Sequence, residues 1–182
     1  MDEMSFSRSI IIIVCSLFIL SCRADSAREH MLFDFETDCE LDRLEWQCHT
    51  LYSLSGEHVT HGKRSLKMEL YPSDYPGIEP MLKNNNWSGY KRLCFDIYNP
   101  GEKLKLSLRI DDHKAYPDYG DRYNRAFILE SGMNKMSIPL NSLVTPGMGR
   151  NLNLKNIQRL MIFTANPGKK VILYVDYMRL VR

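Results

Sequence analysis

The chain has 182 residues, of which 44% are hydrophobic and 25% charged, and its formal net charge is +2. This composition excludes an intrinsically disordered chain, and the length is that of one ordinary globular domain. The small net charge provides no basic field of the kind that binds nucleic acid, so nucleic acid is not an expected partner.

The N-terminal segment is predicted to be an export signal. Residues 10–20 form an apolar run that is too short for a membrane-spanning helix, which needs about 20 residues, but typical of a secretory signal. The run closes in the sequence ILSC, which resembles the bacterial lipobox and ends at Cys22. We therefore expect residues 1–22 to be a lipoprotein signal peptide and Cys22 to carry the lipid. The lipid would anchor the protein to the membrane of the bacterial cell envelope, periplasmic or surface-exposed. Ordinary cleavage after Ser21 or Ala24 is the alternative.

Short runs of alternating apolar and polar residues follow, separated by turn residues. In the run 103–111, KLKLSLRID, four apolar residues share one face and polar residues the other, the pattern of a half-buried strand. The other predicted strands are 31–36, 46–53, 64–71, 90–98, 125–130, 134–140, 158–164 and 169–180. Single helical turns are expected near 38–44 and 141–144. About ten short strands in this length predict an all-β, antiparallel two-sheet sandwich.

Three cysteines follow the predicted signal. Cys39 and Cys48 are the only close pair, and an exported protein can keep a disulfide, but the sequence leaves open whether they are bridged. Cys94 lies in the strand-like run LCFDIY and is expected to be a small buried hydrophobe.

Charged, amide and aromatic residues concentrate in the segment 109–125, RIDDHKAYPDYGDRYNR. Loops on a rigid sandwich are where binding groups gather. Arg, Asp, Asn and Tyr offer the paired hydrogen bonds and the stacking surface that a sugar requires. The alternative interpretation is a solvated loop in which aspartates and arginines satisfy one another.

The order of several motifs resembles a known family. From residue 31 onward they are FDFE, VTHGKRSLKMEL, WSGYKRLCFDIYNP, LRIDD with DRYNRAFIL, GMNKMSIPL, LKNIQRLMIF and VILYVDYMRL. Together they resemble the jelly-roll carbohydrate-binding modules with a galactose-binding-like β-sandwich. The resemblance implies that residues 31–182 form a jelly-roll sandwich that binds a glycan or polysaccharide without catalysis.

The implied glycan site combines hydrogen-bonding and stacking residues. The expected ligand-binding residues are Arg109, Asp111, Asp112, His113, Arg122 and Asn124 for hydroxyl groups, and Tyr98, Tyr116 and Tyr123 for stacking.

A structural calcium ion between the first and last strands is also implied by the resemblance. Asp34 and Glu36 on the first strand and Asp176 on the last are the positions that would supply it. Calcium takes six to eight oxygens, so backbone carbonyls or water would add the rest. The alternative is that these acids simply lie on the wet faces of their strands.

Two other functions stay open from sequence. A jelly-roll polysaccharide lyase would use His113 and a tyrosine such as Tyr119 to move a proton, with Arg122 neutralising a uronate. A module that binds another envelope protein is the third possibility.

Overall fold

The computed structural model describes residues 28–113 and 117–182. The predicted signal peptide, Cys22 and Tyr116 lie outside these residues. Within them, no helix has the length and apolar character needed to cross a membrane.

The described chain is built from short strands. In chain order they are β1 (Glu29–Phe33), β2 (Leu44–Gln47), β3 (Thr50–Ser55), β4 (Ser65–Leu70), β5 (Gly77–Pro80), β6 (Arg92–Asn99), β7 (Leu104–Asp111), β8 (Tyr123–Leu129), β9 (Gly132–Pro139), β10 (Arg159–Phe163) and β11 (Val171–Val181). Short 3-10 helices span Asp38–Arg43, Tyr119–Asp121 and Leu140–Ser142. The first and third of them match the predicted helical turns.

These strands form two antiparallel sheets, as predicted. The six-stranded sheet has the order β3-β4-β11-β6-β9, with β1 pairing the C-terminal half of β11. The five-stranded sheet has the order β2-β5-β10-β7-β8. The chain therefore has the jelly-roll sandwich architecture expected from its sequence.

The hydrophobic core lies between the sheets and follows the alternation of the sequence. In β7, Leu106, Leu108 and Ile110 are at most 1% exposed, whereas Lys105 is exposed and Ser107 only half-buried. Each such buried side chain stabilises the fold by about 1.5–3 kcal/mol. The face of β7 opposite the core is consequently available for other contacts.

Two features of the strand prediction were wrong. The single run 46–53 is in fact two strands in different sheets, because the chain turns at Cys48 and His49, whose φ angles are 37° and 49°. Strand β5 was missed because it contains Gly77 and Pro80, which are residue types depleted in strands. Only glycine fits at position 77, since a Cβ there would lie 2.2 Å from the Ile162 carbonyl oxygen.

The cysteines carry no disulfide in the described chain. Cys39 and Cys48 are exposed and unbridged. Cys94 was expected to be buried but is only half-buried, since it faces away from the core in β6, with its Sγ 3.6 Å from the Ser137 Oγ.

Candidate functional site

A groove of about 410 Å³ lies on the outer face of the five-stranded sheet. Its floor is formed where β10, β7 and β8 run side by side, with Arg109 opposite both Met161 and Asn124. Because strand residues alternate between faces, these side chains point away from the core that Leu108 and Ile162 enter. The lining residues are Tyr75, Ser107, Arg109, Tyr119, Arg122, Asn124, Met161, Phe163 and Ala165.

Two exposed tyrosine rings line the groove from opposite sides. Tyr75, which is 56% exposed, packs edge-on against Phe163 of β10, with the ring centroids 5.8 Å apart. Tyr119, which is 67% exposed, accepts a hydrogen bond through its hydroxyl from the Asn124 Nδ2 of β8 at 3.4 Å. Such rings offer the apolar faces on which the C–H face of a sugar packs.

A chain of ion pairs crosses the outer face of the same sheet. Arg109 donates from Nε and Nη2 to the fully buried carboxylate of Asp111, the shortest contact being 2.6 Å. Asp111 also accepts from the Nη1 of Arg159 at 2.9 Å, and the Nε of Arg159 donates to Glu79 at 2.8 Å. Burial lowers the pKa of Arg159, but the two carboxylates raise it more, so the net pKa lies above its usual value. Arg109 thus lines the groove, while Asp111, two residues further along the same face of β7, binds its guanidinium.

Arg122 lies beside the ring of Tyr119 in the groove. Its guanidinium carbon is 5.8 Å from the ring centroid, and its Nε and Nη2 both donate to the Pro117 carbonyl, at 3.1 and 2.7 Å. These contacts hold residues 117–122 together. Of the residues predicted to bind a ligand, Arg109, Arg122 and Asn124 therefore lie together in this groove.

Asp112 directly follows β7 and is not part of the groove lining. Its carboxylate accepts two N–H bonds from Arg150, at 2.7 and 2.8 Å, and one from the backbone of Asn153. Burial raises the pKa of Asp112, but the bonds from Arg150 and Asn153 outweigh it and hold the pKa below its usual value. Asp112 therefore has a structural role in joining two loops.

His113 is exposed and lines a different depression. Its Nε2 lies 3.6 Å from Asp112 and 3.7 Å from Asp121, and its neighbours there include Pro117 and Met148. The described residues that line the groove include no histidine and no carboxylate. A proton-transfer pair of His113 and Tyr119 does not converge across it.

Two of the predicted stacking residues lie elsewhere. Tyr98 belongs to the six-stranded sheet, where its ring stacks on His58 with the centroids 3.5 Å apart. Tyr123 is 4% exposed and contributes to the core, because it pairs with the inward-facing Ile110. Burial raises the pKa of the Tyr123 hydroxyl.

The three acids predicted to bind calcium do not form one set of ligands, and Asp34 and Glu36, predicted to lie on the first strand, follow it because β1 ends at Phe33. Asp176 is 1% exposed and accepts backbone N–H bonds from Thr60 and His61. The Glu36 carboxylate accepts hydrogen bonds from the backbone N–H groups of residues 63 and 64. The Asp34 carboxylate accepts a 3.4 Å hydrogen bond from the backbone N–H of Glu36. No group of three or more His, Cys, Asp or Glu residues in the described segments is arranged to hold a metal ion. These carboxylates thus fit the role of binding backbone amides, and calcium binding stays a prediction without a matching side-chain set.

Five groove residues were missed from sequence, namely Tyr75, Ser107, Met161, Phe163 and Ala165, and Tyr119 was named only for the lyase alternative. Ser107 shares the outer face of β7 with Arg109, so the strand alternation did contain a signal for it. Tyr75 lies in the loop before β5, and only strand pairing brings it next to Phe163. An isolated tyrosine in a turn carries no such information in the sequence.

Comparison with known proteins gives matches at the level of structure. No protein-family model matches the chain, and neither does any curated protein sequence. Among solved structures, a family 11 carbohydrate-binding module from Clostridium thermocellum, in complex with a β-1,3-1,4-mixed-linked tetrasaccharide, superimposes with a TM-score of 0.63. It is 23% identical, and the match covers 85% of this chain and 95% of the module. The chain has the fold of a carbohydrate-binding module.

Other similar structures extend this result. The CBM22-1 xylan-binding domain from Paenibacillus barcinonensis matches with a TM-score of 0.55 and 12% identity over 85% of this chain and 93% of that domain. An exo-β-agarase matches with a TM-score of 0.68 and 18% identity over 83% of this chain. Only 25% of the agarase is covered, so the similarity is to one part of that enzyme.

Proposed function

We propose that this protein is a non-catalytic carbohydrate-binding module whose glycan lies in the groove between Tyr75 and Tyr119. The observation that carries the proposal is the composition of that groove. It combines two exposed aromatic rings with amide, hydroxyl and guanidinium donors from Asn124, Ser107 and Arg122. This is the combination by which proteins hold a sugar, with stacking on one face and hydrogen bonds at the edge.

The structural neighbours support the same class of ligand. One of them was solved with a mixed-linked tetrasaccharide, and another is named for xylan binding. Their sequence identities to this chain are low. The class of sugar bound here is therefore inferred from the residues of the groove and not from the ligands of these proteins.

The absence of histidine and carboxylate from the described lining favours binding over lyase chemistry. A lyase needs a base and an acid placed across the substrate. A tyrosine with a pKa near 10 is by itself a poor base at neutral pH.

The experiment that tests this proposal is a polysaccharide screen of the purified full chain by affinity gel electrophoresis, followed by calorimetry on any ligand found. We expect retardation by at least one polysaccharide, with no new ultraviolet absorbance from unsaturated sugar. Failure to bind any glycan contradicts the proposal, and release of unsaturated product shows a lyase instead.

We also propose that the protein is a lipoprotein of the bacterial cell envelope, anchored by a lipid on Cys22. The support is the short apolar run that stops at Ser21-Cys22. Cys22→Ala should move the protein out of the membrane fraction in fractionated cells. Retention of the variant in that fraction contradicts this anchor.

A further inference from the structure

Arg122 differs from the other arginines at this end of the sheet. Arg109, Arg150 and Arg159 each have carboxylate partners, the closest at 2.6 to 2.8 Å. No carboxylate of the described chain lies within 4.0 Å of the Arg122 guanidinium. Among the described residues, its only hydrogen-bond acceptor is the neutral carbonyl oxygen of Pro117.

The charges around the groove therefore do not cancel. Asp111 and Glu79 balance Arg109 and Arg159, two negative against two positive charges. The nearest acid along the chain, Asp121, is engaged by Arg150 at 2.6 Å. Within the part of the chain that the structure describes, Arg122 is left as the uncompensated positive charge of the lining.

Arg122 also keeps free hydrogen-bond donors. A guanidinium has five N–H donors, and its Nε–H and one Nη2–H are directed to Pro117. The two hydrogens of Nη1 and the second of Nη2 meet no acceptor among the described residues, so they are left for a ligand. Two neighbouring Nη atoms form a flat, charged fork that matches a carboxylate or a sulfate group.

We propose that the groove selects an acidic glycan, in which a sugar oxyanion binds the Nη atoms of Arg122 while the ring stacks on Tyr119. The oxyanion is a uronate carboxylate or a sulfate ester, and Asn124 provides hydrogen bonds to the neighbouring hydroxyl groups. This inference rests on the proposed glycan-binding function and adds the charge of the ligand to it.

The test uses polysaccharide pairs that differ only in charge. For the carboxylate, polygalacturonic acid is compared with its fully methyl-esterified form, and for the sulfate, a carrageenan is compared with its desulfated form. We expect the full chain to bind one charged polymer about tenfold or more tightly than its neutral partner. The preference should weaken as NaCl is raised. The pair that shows it identifies the oxyanion.

Variants of neighbouring arginines give the matched control. Arg122→Gln should abolish the preference for the charged polymer, and Arg122→Lys should keep part of it. Arg125→Gln is the control, because Arg125 is exposed, lies next to Phe127 and is outside the groove lining. It removes the same charge and should leave the preference for the charged polymer unchanged. The salt dependence of the unmodified protein gives a readout even if Arg122→Gln fails to fold.

The outcomes separate this inference from the proposed function. Equal binding of charged and neutral members, or binding of neutral polysaccharides alone, overturns the acidic ligand and leaves glycan binding intact. A preference that survives Arg122→Gln also overturns it. Failure to bind any polysaccharide overturns both.

Discussion

Arg150 and Asp121 join two loops beside the groove, with the Nε of Arg150 2.6 Å from the Asp121 Oδ1. Asp121 ends the short helix that carries Tyr119, and the backbone of the same helix meets the second loop, where the Gly147 N–H donates to the Gly120 carbonyl at 2.8 Å. A Cβ on Gly147 would come within 2.7 Å of the Gly120 Cα, so the loops pack backbone to backbone. The side of the groove formed by Tyr119 is therefore held in place by contacts that lie outside the groove.

Arg150→Met should destabilise the fold by about 1–3 kcal/mol, because it leaves the carboxylate of Asp112 buried without its cation. The side chain of Asp112 is only 2% exposed, whereas that of Arg150 is 32% exposed, so solvent screening reduces the loss below that of a fully buried pair. Chemical denaturation measures the effect, with Arg125→Met as the control on an exposed arginine. An unchanged free energy of unfolding would contradict the assigned role of Arg150.

The ion pair of Asp112 and Arg150 should also make the free energy of unfolding depend on pH. The folded-state pKa of Asp112 is depressed, because the bonds from Arg150 and Asn153 outweigh burial. Its stabilising contribution is therefore complete above the unfolded pKa of about 3.9 and is lost as the pH falls through the folded pKa. Denaturation curves at a series of pH values should show the gap between the unmodified protein and Asp112→Asn closing as the pH drops below about 4. A gap that is constant with pH would argue against this linkage.

Tyr75→Ala and Tyr119→Ala should each weaken glycan binding about tenfold, with little change in melting temperature, because both rings are mostly exposed. Calorimetry against the glycan found for the unmodified protein measures the loss. Tyr98→Ala is the matched control, since Tyr98 lies on the other sheet against His58. If Tyr98→Ala alone reduced binding, the site would lie on the six-stranded sheet.

Arg109→Ala should lower both the melting temperature and glycan affinity. The substitution removes a two-point partner from Asp111, which is fully buried and, among the described side chains, retains Arg159 alone. A loss of about 1–3 kcal/mol in unfolding free energy is expected for such a weakened buried group. Lys105→Ala, on an exposed position of the same strand face, should have little effect on melting. Loss of affinity with unchanged melting would mean that Arg109 serves the ligand alone.

Leu106→Asp should unfold the domain or cost several kcal/mol, because Leu106 is 1% exposed and an aspartate there would be an unpaired charge in the core. Lys105→Asp, one residue earlier and exposed, should be mild. Circular dichroism during heating distinguishes them. Equal damage from both would be incompatible with the orientation of β7.

The periodicity of the sequence determined the class of fold and the direction of most side chains. The alternation in β7 predicted that Leu106 and Leu108 face the core and that Ser107 and Arg109 do not, because successive strand residues point to opposite faces whatever the partner strands are. The same periodicity could not separate β2 from β3, since a change of sheet at Cys48 and His49 depends on backbone angles that side-chain pattern does not reveal.

Only the tertiary structure decided which polar residues meet. Arg109 and Asp111 were candidates both for a ligand and for ion pairing, and the pairing partner Arg159 lies 48 residues beyond Asp111 in the sequence. Likewise, Tyr75 reaches the groove because β5 pairs with β10. A binding site is a set of long-range contacts made by strand order, so local pattern supplies its chemical groups but not their grouping.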